Sequence, residues 1–224
     1  MGSSSHNFKR WFRGAGDSQA KEVESAKHAS RTNRRCIGLG ELMRDLSSMG
    51  EKKLCVLDLG PTSPANIAFL TDLGIRVYTE DILHEAQDPN YQAKQEDGAL
   101  QADPVKFFAE NMDYPAEQFD AVLFWDVADY LPEPLVKPLV ERLQIMLKPK
   151  GNLLAFFHTK DAGQESLYSR QHIVQNDTLE LEPLPDFRLQ RIFNNRHIEN
   201  LFKDFASRKF FLGRDNIREV LMVR

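Results

Sequence analysis

Cysteine is nearly absent from the sequence, which has only Cys36 and Cys55 among its 224 residues. Two cysteines are too few for a disulfide framework or a structural zinc site, and Cys55 lies in the apolar run LCVLDL, where a thiol packs as a small hydrophobic group. The histidines lack metal-ligand spacing, so no metal is expected.

No apolar run reaches the ~20 residues of a membrane-spanning helix, and the N-terminus lacks the apolar core of a secretory signal. We therefore expect a cytoplasmic protein with no membrane contact.

Positive charge is concentrated at the start of the chain. Residues 1–35 hold eight Lys or Arg and three Asp or Glu, whereas the whole chain has a net charge of −4. This composition predicts a flexible basic arm, residues 1–35, followed by a single domain, residues 36–224. The arm is either simply solvated or makes an electrostatic contact with nucleic acid or another anionic surface. The acidic body argues against extensive nucleic-acid binding.

Residues 53–82 show a succession of strand, helix and strand. KLCVLDLG is an apolar run with little alternation, typical of a strand covered on both faces, and IRVYTEDI is a second strand. Between them NIAFLTDLG predicts a helix that ends at Gly74, and GLGELMRDLSSMG predicts another just before the first strand. A β-α-β unit of about thirty residues indicates a parallel sheet with right-handed crossovers.

The second half of the chain repeats this unit and then changes character. FDAVLFW and NLLAFFH predict two more buried strands, with a helix between them that should have Pro138 in or near its first turn. A later helix capped by Asn195 is followed by RKFFLG and REVLMVR, which predict an antiparallel hairpin. No convincing third strand is found between His84 and Phe107. The predicted fold is α/β, a doubly wound, mostly parallel Rossmann-like sheet of about six or seven strands with a C-terminal antiparallel hairpin.

The ordered set of motifs resembles the class I S-adenosylmethionine-dependent methyltransferases over residues 37–224. VLDLG is similar to the first motif of that family, and Asp81-Ile82 is similar to the acidic end of its second strand. FDAVLFWDVADYLPEP is similar to its fourth-strand region, and MLKPKGNLLAFF to its LKPGG loop and fifth strand. The resemblance implies S-adenosylmethionine as cofactor and methyl transfer to an acceptor that the sequence does not identify.

The turn after the first strand departs from the pattern of the family. In place of G-x-G-x-G the chain reads Gly60-Pro61-Thr62-Ser63-Pro64, and the prolines fix φ and remove two N–H donors. S-adenosylmethionine has no phosphate, so it depends less on a backbone cradle than a dinucleotide does. Side chains of Thr62, Ser63 and Asn66 can replace the lost donors. The resemblance assigns this part of the cofactor site to Asp58, Gly60, Pro61, Thr62 and Asn66.

Two acidic residues end the second strand. Asp81 follows Gly60 by 21 residues, close to the ~20-residue interval at which a carboxylate binds the ribose in nucleotide-binding βαβ units. Adjacent strand residues face opposite sides, so only one of Glu80 and Asp81 should reach the ribose. We favour Asp81 on spacing and keep Glu80 as the alternative.

The segment that ends the fourth predicted strand carries the candidate catalytic residues. Trp125 is assigned to the cofactor site or to the core. Asp126, Asp129 or Tyr130 could orient or deprotonate a nucleophile, and Asp126 and Tyr130 are preferred. A purely structural role for Asp126, as the cap of the following turn, stays open.

Three further residues complete the candidate site. Met112 and Asp113 lie about where the resemblance places adenine contacts. His158 ends the fifth strand, where it either faces the pocket or packs as an isolated histidine.

Fold does not settle function, so two other functions stay open. One is a non-catalytic binding or regulatory protein that keeps the fold, with the glycine-poor turn as its trace. The other is an NAD-dependent oxidoreductase, which the missing phosphate cradle disfavours.

Overall fold

The structure, a computed structural model, describes residues 31–50, 53–95, 98–159, 166–213 and 215–224. The strands of these residues are, in chain order, β1 (Thr32–Arg35), β2 (Cys55–Leu59), β3 (Arg76–Glu80), β4 (Gln92–Lys94), β5 (Leu100–Ala102), β6 (Phe119–Trp125), β7 (Leu147–His158), β8 (Leu167–Gln175), β9 (Thr178–Arg188), β10 (Ser207–Leu212) and β11 (Ile217–Val223). The α-helices are α1 (Ile37–Ser48), α2 (Pro64–Asp72), α3 (Ile82–Glu85), α4 (Pro104–Glu110), α5 (Val127–Tyr130), α6 (Glu133–Met146) and α7 (Asn195–Leu201), and a 3₁₀ turn covers Pro89–Tyr91. None of these helices is long and apolar enough to cross a membrane.

A six-stranded sheet in the order β10-β11-β7-β6-β2-β3 organises the fold. β3, β2, β6 and β7 are parallel, whereas β11 pairs antiparallel with β7, and β10 with β11. This confirms the predicted α/β sheet and its C-terminal hairpin. The carboxyl ends of the parallel strands therefore meet at one edge, where ligands bind in folds of this kind.

The two faces of the sheet are covered by different helices. Every residue of β6 is buried, as expected for a strand with helices on both sides. Alternation places Leu123 and Trp125 in one core with α1 and α2, and Phe124 in the other with α6 and α7. Asp58 pairs with Leu123 in register and lies on the same face as Trp125, which brings its carboxylate to the indole.

Some boundaries differ from the sequence prediction. The region between His84 and Phe107 adds no strand to the large sheet, and its β4 and β5 form a separate antiparallel pair, so β3 is an edge strand. Pro138 is the sixth residue of α6, near the first turn as predicted, and lies inside the helix. The cap of α7 is Asn194, whose side chain accepts from the N–H of His197, and not Asn195.

A second sheet, in the order β1-β9-β8, was not predicted. Pro183 and Pro185 interrupt the β9 sequence, and prolines argue against an interior strand. The structure accommodates them because β1 pairs only with residues 178–181 of β9, so both prolines lie beyond that pairing. The sheet packs against α2 and covers the carboxyl edge of the large sheet.

β1 also moves the boundary of the basic arm. Its residues fell within the predicted arm, 1–35, yet they form a strand of the folded domain. Arg34 is buried, donates to the Glu219 carboxylate at 2.9 Å and lies over the ring of Phe156. Residues 1–30, the remainder of the predicted arm, lie outside the described residues.

Candidate functional site

The turn that follows β2 leads directly into a helix. Gly60 has φ +106°, a conformation that glycine adopts readily, and its N–H donates to the Glu80 carbonyl at 2.7 Å. Ser63 caps α2 by accepting from the N–H of Asn66, and Pro64 occupies the first turn, where a missing N–H costs no helical bond. Thr62 is exposed, whereas Pro61 is buried. The proline-rich sequence thus forms a stiff helix start rather than a phosphate cradle.

Asp58, Asn66 and Trp125 are joined by hydrogen bonds below this turn. One Asp58 oxygen accepts from the Trp125 indole N–H at 2.6 Å, and the other accepts from the Asn66 amide at 2.8 Å. Burial raises the pKa of Asp58 to about 6, although both donors favour its charged form. Trp125 adopts φ +47° and packs against Phe156. The structure therefore brings three predicted cofactor residues together, with their polar groups paired to one another.

The acidic residues at the end of β3 also have partners. Glu80 accepts a short hydrogen bond from the hydroxyl of Tyr114. Asp81 caps α3, accepting from the N–H of His84 at 3.2 Å. Both carboxylates lie at the carboxyl edge of the sheet beside Gly60, and the choice between them as ribose ligand stays a prediction.

The segment before β6 reaches this edge through a residue that the sequence analysis missed. Met112 has φ +63° and is buried in the core, whereas Asp113 is exposed. Their neighbour Tyr114 bonds to Glu80 and packs edge-on against Tyr78. An aromatic residue directly after Met112 and Asp113 was the available signal.

Asp126 follows β6 and is buried. It stands at the N-cap position of α5 without a capping bond from its side chain, so the purely structural capping role is not observed. Its Oδ1 accepts from the side-chain amide of Gln171 at 2.9 Å, and burial raises the pKa of the carboxyl.

Asp129 and His158 form a buried pair beside Asp126. One Asp129 oxygen accepts from the backbone N–H of His158 at 2.6 Å and lies 2.9 Å from its ring Nδ1. Burial alone would lower the pKa of His158, but the bond to Asp129 and the charges of Asp126 and Asp129 outweigh it and raise this pKa. Burial raises the pKa of Asp129 to about 6. His158 is therefore not an isolated histidine: its Nδ1 is oriented by a carboxylate, and its Nε2 faces the hydroxyl of Tyr130.

Tyr130 lies next to this pair. Its hydroxyl donates to the Ser166 carbonyl at 3.2 Å and is 3.5 Å from Nε2 of His158. Burial raises the pKa of Tyr130, so its phenolate is scarce at neutral pH.

β8 covers the carboxyl edge and fills the space over the turn. Tyr168 is fully buried, and its hydroxyl lies only 2.6 Å from the position that a Cβ on Gly60 would take. Its ring packs edge-on against Tyr130 and Phe187, with centroids at 5.2 and 5.5 Å. Tyr168 therefore occupies the space directly over Gly60.

Buried hydrogen bonds attach β8 to the turn and to α2. The Asn66 amide donates to the Gln171 carbonyl at 3.0 Å, and its Oδ1 accepts from the N–H of Ile173 at 2.7 Å. Ser63 Oγ lies 2.7 Å from Nδ1 of His172. None of these partners was predicted, because β8 itself was not recognised as a strand.

A cavity of about 420 Å³ lies between β8, the ends of β6 and β7, and the start of β11. Its polar wall includes Arg34, Asp126, His158, Ser169, Gln171 and Asp215. Within the described part of the chain, no cluster of His, Cys, Asp and Glu could hold a metal ion. The cavity volume lies in the usual range for small-molecule sites, about 300–1,000 Å³.

Comparison with known proteins yields one family and several similar structures. A family model described as a methyltransferase domain matches residues 29–205. No curated protein sequence matches the chain.

Among solved structures, the 1,6-didemethyltoxoflavin-N1-methyltransferase of Burkholderia thailandensis, with bound 1,6-didemethyltoxoflavin and S-adenosylhomocysteine, is 13% identical with a TM-score of 0.48, covering 92% of this chain and 83% of that one. An S-adenosylmethionine-dependent methyltransferase from Aquifex aeolicus is 15% identical with a TM-score of 0.45, covering 91% and 97%. Another from Methanosarcina mazei is 12% identical with a TM-score of 0.49, covering 80% and 96%. With all three TM-scores below 0.5, these similarities assign neither substrate nor ligand residues.

Proposed function

The chain belongs to the methyltransferase-domain family, and from that premise we propose that it is an S-adenosylmethionine-dependent methyltransferase with its donor site at the carboxyl edge of β2, β3 and β6. The observation that supports this placement is that Gly60, Asp81 and Asp126 directly follow the carboxyl ends of β2, β3 and β6, with the hydroxyl of Tyr168 over Gly60. S-adenosylmethionine supplies an electrophilic methyl group on a sulfonium.

The acceptor side of the proposed site is the 420 Å³ cavity. Its size suits a small-molecule acceptor, and His158 in its wall has the orientation of a general base. Asp129 accepts from Nδ1, so the lone pair of Nε2 is the one that can take a proton from a hydroxyl or amine. His158 thereby replaces Tyr130 as our candidate base, because the pKa of Tyr130 is raised by burial. Asp126, also in the wall, stays a candidate for orienting the acceptor.

A second function is favoured by one specific observation. Tyr168 fills the space over Gly60, which suits a non-catalytic protein that has lost its ligand. The oxidoreductase alternative has no comparable support, because Pro61 and Pro64 cannot donate backbone N–H groups to a pyrophosphate. On the composition of the sequence we also propose a cytoplasmic location and an anionic partner for the basic arm.

Calorimetric titration of the full chain with S-adenosylmethionine, S-adenosylhomocysteine and NAD tests the donor site. Binding of the first two without NAD supports the proposal. If neither S-adenosylmethionine nor S-adenosylhomocysteine gives heat at millimolar concentration, with the wild type or with Tyr168→Ala, the proposal is contradicted. The non-catalytic protein is then favoured.

The matched variants for this titration are Asp81→Ala and Asp88→Ala. Both aspartates are half-buried, and each caps a short helical segment. Asp81 caps α3, and Asp88 caps the 3₁₀ turn by accepting from the N–H of Asn90 at 2.8 Å. Loss of a cap costs each variant about 0.5–2 kcal/mol of stability. Only Asp81→Ala should also weaken binding, by about ten- to a few-hundredfold, since a charge-assisted hydrogen bond is worth about 1.5–3 kcal/mol. Equal affinities of the two variants would exclude Asp81 as the ribose ligand and leave Glu80.

A further inference from the structure

Two polar side chains of β8 lie at the proposed donor site. The Gln171 amide donates to the buried carboxylate of Asp126, and the Tyr168 hydroxyl lies over Gly60. Burial first, and then the charges of Asp126, Asp58 and Asp81, raise the pKa of that hydroxyl. A phenol and an amide of β8 thus lie against the residues that follow β2 and β6.

The backbone pairing of β8 is confined to one side of the strand. It pairs with β9 alone, as an edge strand of the small sheet, and the pairing is irregular at both of its ends. Toward the large sheet it is held by side-chain bonds from Asn66, Ser63 and Asp126. No backbone ladder ties β8 to the six-stranded sheet among the described residues. Withdrawal of β8 therefore breaks these bonds and exposes the buried side chains of Tyr168 and Ile173, but it leaves the pairing of the six-stranded sheet intact.

We propose that β8 is an internal ligand of the donor site, so that Tyr168 and the nucleoside of the methyl donor compete for the same space over Gly60. Donor binding then requires Tyr168 to move away from Gly60 and the hydrogen bonds between β8 and Asn66 to break. The proposal rests on the proposed function, because it takes this edge as the donor site. It adds that Tyr168 of the chain itself occupies the space over Gly60 in this structure.

The energetic consequence is a reduced apparent affinity. A ligand that binds only the open form pays for opening, and its dissociation constant rises by the inverse of the open fraction. Removing the Tyr168 ring takes away the competitor, so S-adenosylhomocysteine should bind a Tyr168→Ala variant at least tenfold more tightly than the wild type. The control is Phe205→Ala, which removes a ring of similar burial at the opposite end of the parallel strands. Its affinity should equal that of the wild type.

Amide hydrogen exchange of the full chain gives a readout that does not depend on activity. The N–H of Ile173 donates to the side chain of Asn66, so its protection reports the attachment of β8. Addition of S-adenosylhomocysteine to the wild type should lower this protection, whereas the N–H of Ile198, bonded within α7, should keep its own.

The outcomes separate the two proposals. Tighter binding by Tyr168→Ala together with faster exchange at Ile173 supports both. Suppose that the wild type binds S-adenosylhomocysteine. If Tyr168→Ala then binds it no more tightly, or if binding leaves the N–H of Ile173 protected from exchange, the competition is overturned and the methyltransferase function still stands. No binding by either protein overturns the donor site and the competition with it. Should Tyr168→Ala fail to fold, Gln171→Ala is the second variant, because it deletes the bond to Asp126 and the bond that Gln171 Oε1 accepts from the Tyr168 hydroxyl at 3.3 Å. It should still tighten binding, by about threefold, and an unchanged affinity would count against the proposal.

Discussion

Substitution of Gly60 by alanine tests the contact between the turn and Tyr168 directly. A side chain at φ +106° carries a backbone strain of about 1–3 kcal/mol. The added Cβ would also lie 2.6 Å from the Tyr168 hydroxyl, closer than such atoms approach, and overpacking of a buried site costs about 1–3 kcal/mol more. We expect Gly60→Ala to lower the free energy of unfolding by about 2–6 kcal/mol, a large part of the 5–15 kcal/mol of a typical domain.

Tyr168→Phe separates the two contributions. It removes the hydroxyl, and the next ring atom, Cζ, lies 3.7 Å from the added Cβ, which is ordinary contact. Gly60→Ala should therefore cost only the backbone strain when Tyr168 is already phenylalanine. The double-mutant cycle should give a coupling of about 1–3 kcal/mol, measured from urea unfolding of the four proteins.

Gly74→Ala is the matched control. Gly74 also has positive φ, +77°, but no atom lies within 4 Å of the position of its Cβ. Gly74→Ala should therefore lower the free energy of unfolding by the backbone strain alone, with no coupling to Tyr168→Phe. A coupling at Gly60 that is also near zero, within about 0.5 kcal/mol, would show that the hydroxyl does not lie over the turn.

The remaining predictions concern β1 and the buried carboxylate of Asp58. Deletion of residues 1–35, which composition alone would make harmless, should destabilise the domain. Arg34→Met should cost about 3–5 kcal/mol in chemical unfolding, because it leaves the buried Glu219 without its cation; unchanged midpoints would mean that β1 is not part of the fold. Burial raises the pKa of Asp58 to about 6, so the folded state keeps this proton over a pH range in which the unfolded state has lost it. Relative to Asp58→Asn, the wild type should lose up to about 3 kcal/mol of stability as the pH rises from about 4 to about 6, and a difference independent of pH would contradict the assignment.

The pairing of polar groups across the site could not be read from the sequence. Asp58 and Trp125 were both named as site residues, yet their mutual bond follows from the parallel register of β2 and β6, which places them on one face. Asp129 and His158 were weighed separately, and their pairing depends on the adjacent carboxyl ends of β6 and β7. Local pattern predicts which residues end a strand, but it does not give the distance between two strand ends.

Hydrophobic patterning by itself determined the layered α/β fold, because apolar runs of strand length alternating with amphipathic helices bury their surfaces in only a few ways. It also placed the C-terminal hairpin and the candidate site at the carboxyl edge of the sheet. Only the tertiary structure decided what covers that edge. β8 carries few local strand signals, and its partners are distant in the chain: Ser63 and His172 are 109 residues apart, and Asn66 and Ile173 are 107 apart. Such contacts form between side chains that the folded backbone has already brought together, so their physical cause lies in the whole fold and not in any short stretch of sequence.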